Sequence, residues 1–277
     1  MRKTTAILAV LTGIVLLAGA AWGQNPPRPK SQAELDALKA IDATPGVDVK
    51  LQKIDDFLAA FADSDYKLFL LDRAVEMAAD KNNYVQAMAW GQRDLDVNPN
   101  SYVAMLSLAA VTANNTKEFD LDKDQKLTQA EKWANGALDA LKTAPRPFQF
   151  TEEKWPEAKK FYQASCHAAL GRVAMDRKKF DAAATEFQTA FGILPEPGYL
   201  IREGEANIKG GKYDDAITTY DKLLATPDLN QVIRQIAERE KAEAVRKKGG
   251  PAAAPAQPAP AAAPPPATPP QSDGAKK

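Results

Sequence analysis

The chain has 277 residues, of which 45% are hydrophobic, so it is long enough and apolar enough to bury a substantial core. Its 36 basic and 36 acidic side chains balance, which argues against the basic surface of a nucleic-acid-binding domain and against a polybasic membrane patch. A single cysteine, Cys166, excludes an internal disulfide framework and any metal site built from several cysteines.

The first 23 residues are typical of a secretory signal peptide. The basic residues Arg2 and Lys3 lie near the N-terminus, an uncharged apolar run follows over 6–21, and the small residues Ala21 and Gly23 precede a cleavage point. A membrane span needs about 20 apolar residues, so this run is short for one; an uncleaved N-terminal anchor is the alternative. We therefore expect an exported protein, periplasmic or secreted, in which residues 24–30 form a linker.

From residue 31 to 248 apolar residues recur at helical spacing, and no segment alternates convincingly as a strand would. Ser31 and Glu34 form a capping box that starts the first helix, and Pro45-Gly46 ends it. The next two helices have regularly spaced apolar residues that we expect to face inward: Leu51, Ile54, Leu58 and Phe61, then Leu68, Leu71, Val75 and Ala78.

The later part of the chain contains one pattern twice. The residues Gly171, Phe180, Ala183, Phe187 and Ala190 recur 33 positions later as Gly204, Tyr213, Ala216, Tyr220 and Leu223. Each copy closes with a proline, at 195 and 227, where a helix cannot continue. Repeats of this length indicate stacked supersecondary units rather than one globular core.

The pattern resembles the tetratricopeptide repeat family, whose 34-residue unit is a helix–turn–helix with small, aromatic and proline positions in this order. The resemblance is strong over 164–227 and extends to 68–141, where Gly91 replaces an aromatic residue and Trp90 lies beside it. It implies a right-handed all-α solenoid over 31–248, in which small residues allow the two helices of a unit to cross closely, with Gly171 against Ala183.

Two further segments fit this architecture. A polar insertion over 114–126 delays the second helix of one unit. The stretch 229–248 has apolar residues on one face, including Val232 and Ala237, and predicts a helix that caps the exposed end of the stack.

The resemblance also implies a concave groove that binds a partner peptide or protein. The family's groove positions correspond in this chain to Asp72, Glu76, Asp80, Leu106, Ala110, Asn114, Arg172, Met175, Asp176, Ile201, Glu205, Ile208 and Lys209. This set is partly acidic and partly apolar. It lacks the lysine and asparagine residues with which some relatives hold a C-terminal carboxylate, which disfavours a chaperone-tail receptor. The alternative is that these charges only solvate an open face.

A calcium loop is a second candidate site. Asp120, Asp122, Asp124 and Glu131 have the spacing of an EF-hand loop, and the carbonyl of Lys126 would supply a further oxygen. Position six is Gln125, where the sharp turn of such a loop requires glycine. The alternative is a solvated polar turn whose acidic residues suit the N-terminus of the following helix.

The sequence contains no set of residues suited to catalysis. The one histidine, His167, follows Cys166 on a helix, and neighbouring helical residues point about 100° apart, so they do not form a nucleophile–base pair. We therefore expect a non-enzymatic protein without a cofactor, calcium being the one exception considered.

The last segment, 249–277, is predicted to be a disordered tail. Between 251 and 270 all residues except Gln257 and Thr268 are proline or alanine, which favours extended polyproline conformations. It serves as a spacer or, alternatively, as a docking segment or cell-wall tether. Taken together, the sequence predicts an exported scaffold or adaptor for another envelope or secreted protein, with no nucleic-acid partner and no membrane contact beyond the signal segment.

Overall fold

The computed structural model describes residues 27–249, and within this range it contains eleven α-helices and no strand. The helices are α1 (Gln32–Ala43), α2 (Val47–Ala60), α3 (Lys67–Asp80), α4 (Tyr84–Val97), α5 (Tyr102–Asn115), α6 (Lys123–Thr143), α7 (Trp155–Asp176), α8 (Phe180–Ile193), α9 (Pro197–Lys209), α10 (Tyr213–Leu224) and α11 (Gln231–Lys247). The all-α prediction is therefore confirmed for this part of the chain.

The two terminal predictions are not tested by the structure. The signal peptide (1–23) lies outside the described residues, as does the tail (249–277) apart from Gly249. Within 27–249, none of the helices combines the length and the apolar character that a membrane span requires.

Side-chain caps explain where several helices begin. Ser31 accepts the Glu34 N–H at 3.1 Å, and Glu34 reaches back to accept the Lys30 N–H, as a capping box predicts. The other side-chain caps are Asn83, Ser101 and Asn230. Each such cap contributes about 1 kcal/mol to helix stability.

The helices stack as an all-α solenoid. Every helix contacts the next one in the chain, and α3 and α7 also each contact α5. The helices α3, α5 and α7 therefore form one continuous inner layer, with α4, α6 and α8 outside it. One hydrophobic cluster runs from α1 to α7, and a separate one joins α9, α10 and α11.

The repeated glycines allow an aromatic ring to approach the helix backbone. A Cβ on Gly171 would lie 2.7 Å from a ring carbon of Phe187, and one on Gly204 would lie 2.4 Å from a ring carbon of Tyr220. The side chain nearest to an added Cβ at Gly171 is thus that of Phe187 on α8, the helix that also carries Ala183. A ring packs against the helix at each of these glycines, and only glycine leaves that space.

Gly91 follows the same principle with a different partner. A Cβ at this position would lie 2.6 Å from Leu108 of the following helix, α5. Leu108 therefore fills the space over Gly91, and Trp90 is buried beside it.

Two residues expected to face inward are exposed. Leu68 is 43% exposed because it lies in the first turn of α3, next to an open cavity bounded by the 144–149 segment. Val232 is 63% exposed because α11 instead buries the small residues Ala237 and Ala244 against its neighbours. The capping position of α11 itself is as predicted, since it packs on α10 and α9.

Candidate partner-binding groove

A groove follows the inner layer of helices. Its floor is α5, its walls are α3 and α7, and Tyr199 and Arg202 of α9 lie at its margin. The cavity has a volume of about 490 Å³. This size lies within the roughly 300–1,000 Å³ of typical ligand-binding clefts.

The structure brings together part of the predicted groove set. The residues that line the cavity are Glu76, Asp80, Leu106, Ala110, Asn114 and Arg172. Asp72 instead lines a neighbouring cavity of about 1260 Å³, together with Phe69, Tyr102 and Phe148.

The remaining predicted positions lie outside the groove cavity: Met175, Asp176, Ile201, Glu205, Ile208 and Lys209. For Ile208 the prediction is wrong, because it is 6% exposed and packs in the hydrophobic cluster with Leu200 and Tyr220. That cluster exists because α11 packs against α9 and α10, and a pattern within one repeat cannot show what covers the last unit.

Tyr162 was missed by the sequence analysis. The helix α7 has 22 residues, whereas α3 and α5 have 14 each, and its additional N-terminal turns carry Phe161 and Tyr162 into the groove. The Tyr162 hydroxyl donates to Glu76 Oε1 at 3.4 Å, and its ring packs edge-on against Tyr102 at 5.1 Å. Tyr162 lines the groove and Tyr102 lines the larger cavity, so this pair of rings lies between the two. The aromatic-rich sequence 148–162 is the feature from which this contribution to the groove could have been predicted.

Glu76 is held in a poorly solvated position on the α3 wall. Burial raises the pKa of its carboxyl group to about 7, and the nearby Asp72 and Asp80 act in the same direction. The guanidinium of Arg73, 3.2 Å away, opposes this shift without cancelling it. The wall therefore carries carboxyl groups whose charge is incompletely compensated by the protein.

Near the α3 wall, the carboxyl groups of Asp72 and Asp94 both lie within hydrogen-bonding distance of the Ser101 hydroxyl. Ser101 Oγ lies 2.9 Å from Asp72 Oδ1 and 3.3 Å from Asp94 Oδ2. Burial raises the pKa of Asp94 to about 6, and burial together with Asp94 raises the pKa of Asp72 well above its usual range. One serine hydrogen cannot serve both acceptors, so the pair holds a proton more tightly than two isolated carboxyl groups would.

The opposite side of the groove is basic. Arg172 of α7 and Arg202 of α9 both line it, and Arg172 forms an ion pair of 3.0 Å with Asp176 on its own helix. Within residues 27–249, neither Arg202 nor Asp80 of the facing wall has an ion-pair partner within 4 Å. The groove thus separates negative charge on α3 from positive charge on α7 and α9.

The predicted calcium ligands are not assembled. Helix α6 begins at Lys123, so Asp124 is already in its first turn, and Glu131 forms an ion pair with Arg177 of α7. The Lys126 ammonium lies 2.9 Å from both Asp120 and Asp122. Among the described residues no group of three or more such side chains is placed to hold a metal ion. The geometry fits the alternative, a polar turn before a helix.

We therefore expect calcium at millimolar concentration to leave the melting temperature unchanged. An ion that binds the folded state raises it, and here the Lys126 ammonium already pairs with Asp120 and Asp122. Differential scanning fluorimetry of the wild type and of Asp122→Ala, with and without calcium, measures this. A rise in the wild type that Asp122→Ala abolishes would restore the calcium site.

The two residues considered for catalysis are both engaged in packing. Cys166 is fully buried, and burial raises the pKa of its thiol to about 12, which leaves almost no reactive thiolate at neutral pH. His167 Nδ1 lies 2.8 Å from Glu186 Oε2 and so links α7 to α8. The two side chains therefore do not act on a common substrate.

The fold is similar to that of a solved protein. A thermophilic TPR protein from Thermus thermophilus has a TM-score of 0.51 and 16% sequence identity, and the match covers 75% of this chain and 98% of that one. At this identity the likeness concerns the fold alone, which is an all-α solenoid like that of this TPR protein. No protein-family model matches the sequence, and a search of curated proteins finds no match.

Proposed function

We propose that the protein is a non-enzymatic scaffold that binds an extended or helical segment of another protein in the groove between α3, α5 and α7. The observation that carries this proposal is the groove itself, an open cavity of about 490 Å³ on the inner face of a solenoid, with apolar residues at its floor and unpaired charges at its margins. Such a surface suits a peptide laid along the helices.

The place of action is also a proposal. The signal-peptide-like sequence over 1–23 supports export, to the periplasm or beyond, and the partner is then another envelope or secreted protein. The geometry of residues 120–131 does not support a calcium-responsive role. We therefore favour the scaffold function over it.

Filling the groove is the direct test of this proposal. Ala110 lines the cavity on the floor helix and is partly exposed, so Ala110→Phe places a ring where a partner would lie. The matched control is Ala182→Phe, an exposed position on the outer helix α8. In a crosslinking pull-down from the native cells, Ala110→Phe is expected to lose partners that both the wild type and Ala182→Phe retain.

Circular dichroism melts would first establish that both variants are folded. Identical partners captured by all three proteins would exclude the groove as the binding surface and overturn the proposal.

A further inference from the structure

Small side chains line much of the groove on α3, α5 and α7, together with the larger Val103 and Leu106 of the α5 floor. The small residues are Ala79, Ser107, Ala110, Ala113, Ser165, Ala168 and Ala169. Around this floor are the aromatic side chains of Phe161, Tyr162 and Tyr199. A pocket lined by small and apolar side chains, with aromatic residues around it, suits one large apolar side chain, which would gain contact on several sides.

The charges at the margin of the groove favour one orientation of a bound segment over the other. On one side, Asp80 has no ion-pair partner among the described residues, and Glu76 lies one turn before it on α3. On the other side are Arg172 and Arg202. Glu76 and Arg172 already pair with Arg73 and Asp176 on their own helices, so among the described residues of the groove the uncompensated charges are those of Asp80 and Arg202. These two charges on facing sides favour a ligand with the complementary distribution and disfavour one with the reverse distribution.

We propose, building on the scaffold function above, that the groove selects a protein segment with a large aromatic or aliphatic anchor between a basic residue and an acidic residue. The anchor fills this pocket. The basic residue pairs with Asp80 on the α3 wall, and the acidic residue pairs with Arg202 on the opposite side. A segment with charges of one sign on both sides of the anchor is rejected by one wall.

Selection from a random dodecapeptide library displayed on phage, with the full chain as bait, tests this specificity and requires no identified partner. We expect the enriched peptides to contain a large apolar residue with a basic residue on one side and an acidic residue on the other. A synthetic peptide of that consensus should bind Ala110→Phe at least tenfold more weakly than the wild type and bind Ala182→Phe normally.

A charge exchange provides the decisive measurement. Asp80 is exposed at the C-terminal end of α3, where a lysine is compatible with the helix dipole, so Asp80→Lys should fold normally. It is expected to weaken binding of the consensus peptide about tenfold, an effect of the size that partly desolvated ion pairs produce. Replacing the basic residue of the peptide by glutamate should restore binding to this variant.

The possible negative results distinguish a failure of the proposed specificity from a failure of the proposed function. Peptides that Ala110→Phe releases but that show no charge pattern, or no rescue by the exchange, would overturn the specificity and leave the groove as the binding surface. If every enriched peptide binds Ala110→Phe as well as the wild type, or if none is enriched, both the specificity and the proposed function are overturned.

Discussion

Replacing Gly204 by alanine is expected to destabilise the protein by about 1–3 kcal/mol, although alanine is the better helix former. The added Cβ would lie 2.4 Å from a ring carbon of Tyr220, and that ring is completely buried between α9, α10 and α11. A buried ring cannot move aside cheaply in a close-packed core. Urea unfolding followed by circular dichroism measures the change in the free energy of unfolding.

Gly192 supplies the matched control for this substitution. It lies near the end of α8, it is exposed, and a Cβ there would meet nothing within 4 Å. Gly192→Ala is therefore expected to stabilise the protein, by up to about 1 kcal/mol. Shortening the ring with Tyr220→Leu should reduce the additional cost of Gly204→Ala in a double-mutant cycle. If Gly204→Ala and Gly192→Ala change stability in the same direction, the close packing of glycine on the ring is refuted.

Raising the pH from 5 to 8 is expected to destabilise the wild type more than the Glu76→Gln variant. Burial raises the pKa of Glu76 to about 7 in the folded protein, from an ordinary value of 4.5, so the folded state binds this proton more tightly than the unfolded state does. The resulting stabilisation is complete below pH 4.5 and is lost as the pH rises through 7. A shift of this size corresponds to at most about 3 kcal/mol.

The measurement is the free energy of unfolding of both proteins at several pH values between 5 and 8. Glutamine cannot lose a proton, so the stability of Glu76→Gln relative to the wild type should increase across this range. The carboxyls of Asp72 and Asp94 add a slope of the same sign to both proteins, since burial raises the pKa of each. Parallel stability curves for the two proteins would show that Glu76 ionises normally.

Sequence reasoning recovered what neighbouring residues determine locally. Ser31 caps α1, the spacing of Leu51 and Ile54 identifies the buried face of α2, and the paired glycines mark the crossings of α7 with α8 and of α9 with α10. In each case the information lies within one turn of helix or one repeat.

The features that the sequence did not predict correctly have a common physical cause. Each depends on a contact that the repeat pattern does not encode. Leu68 is exposed at a cavity that the distant 144–149 segment helps to form, and Ile208 is covered because α11 packs over the last unit. Tyr162 enters the groove on turns that precede the repeat. The spacing of Asp120 and Asp122 matched a calcium loop, but Lys126 of the same turn neutralises both.

The hydrogen bond from Tyr162 to Glu76 joins α7 to α3 across α5, and Phe148 likewise packs against Phe69 of α3 at 5.1 Å. In an ideal repeat array each unit interacts only with its nearest neighbours, so such an array can lose its units from the ends one at a time. We expect these longer connections to couple α3, α5 and α7 into one cooperative block. Hydrogen exchange should show α3, α5 and α7 opening together, whereas α9 to α11, which have their own hydrophobic cluster, should open separately and at lower free energy.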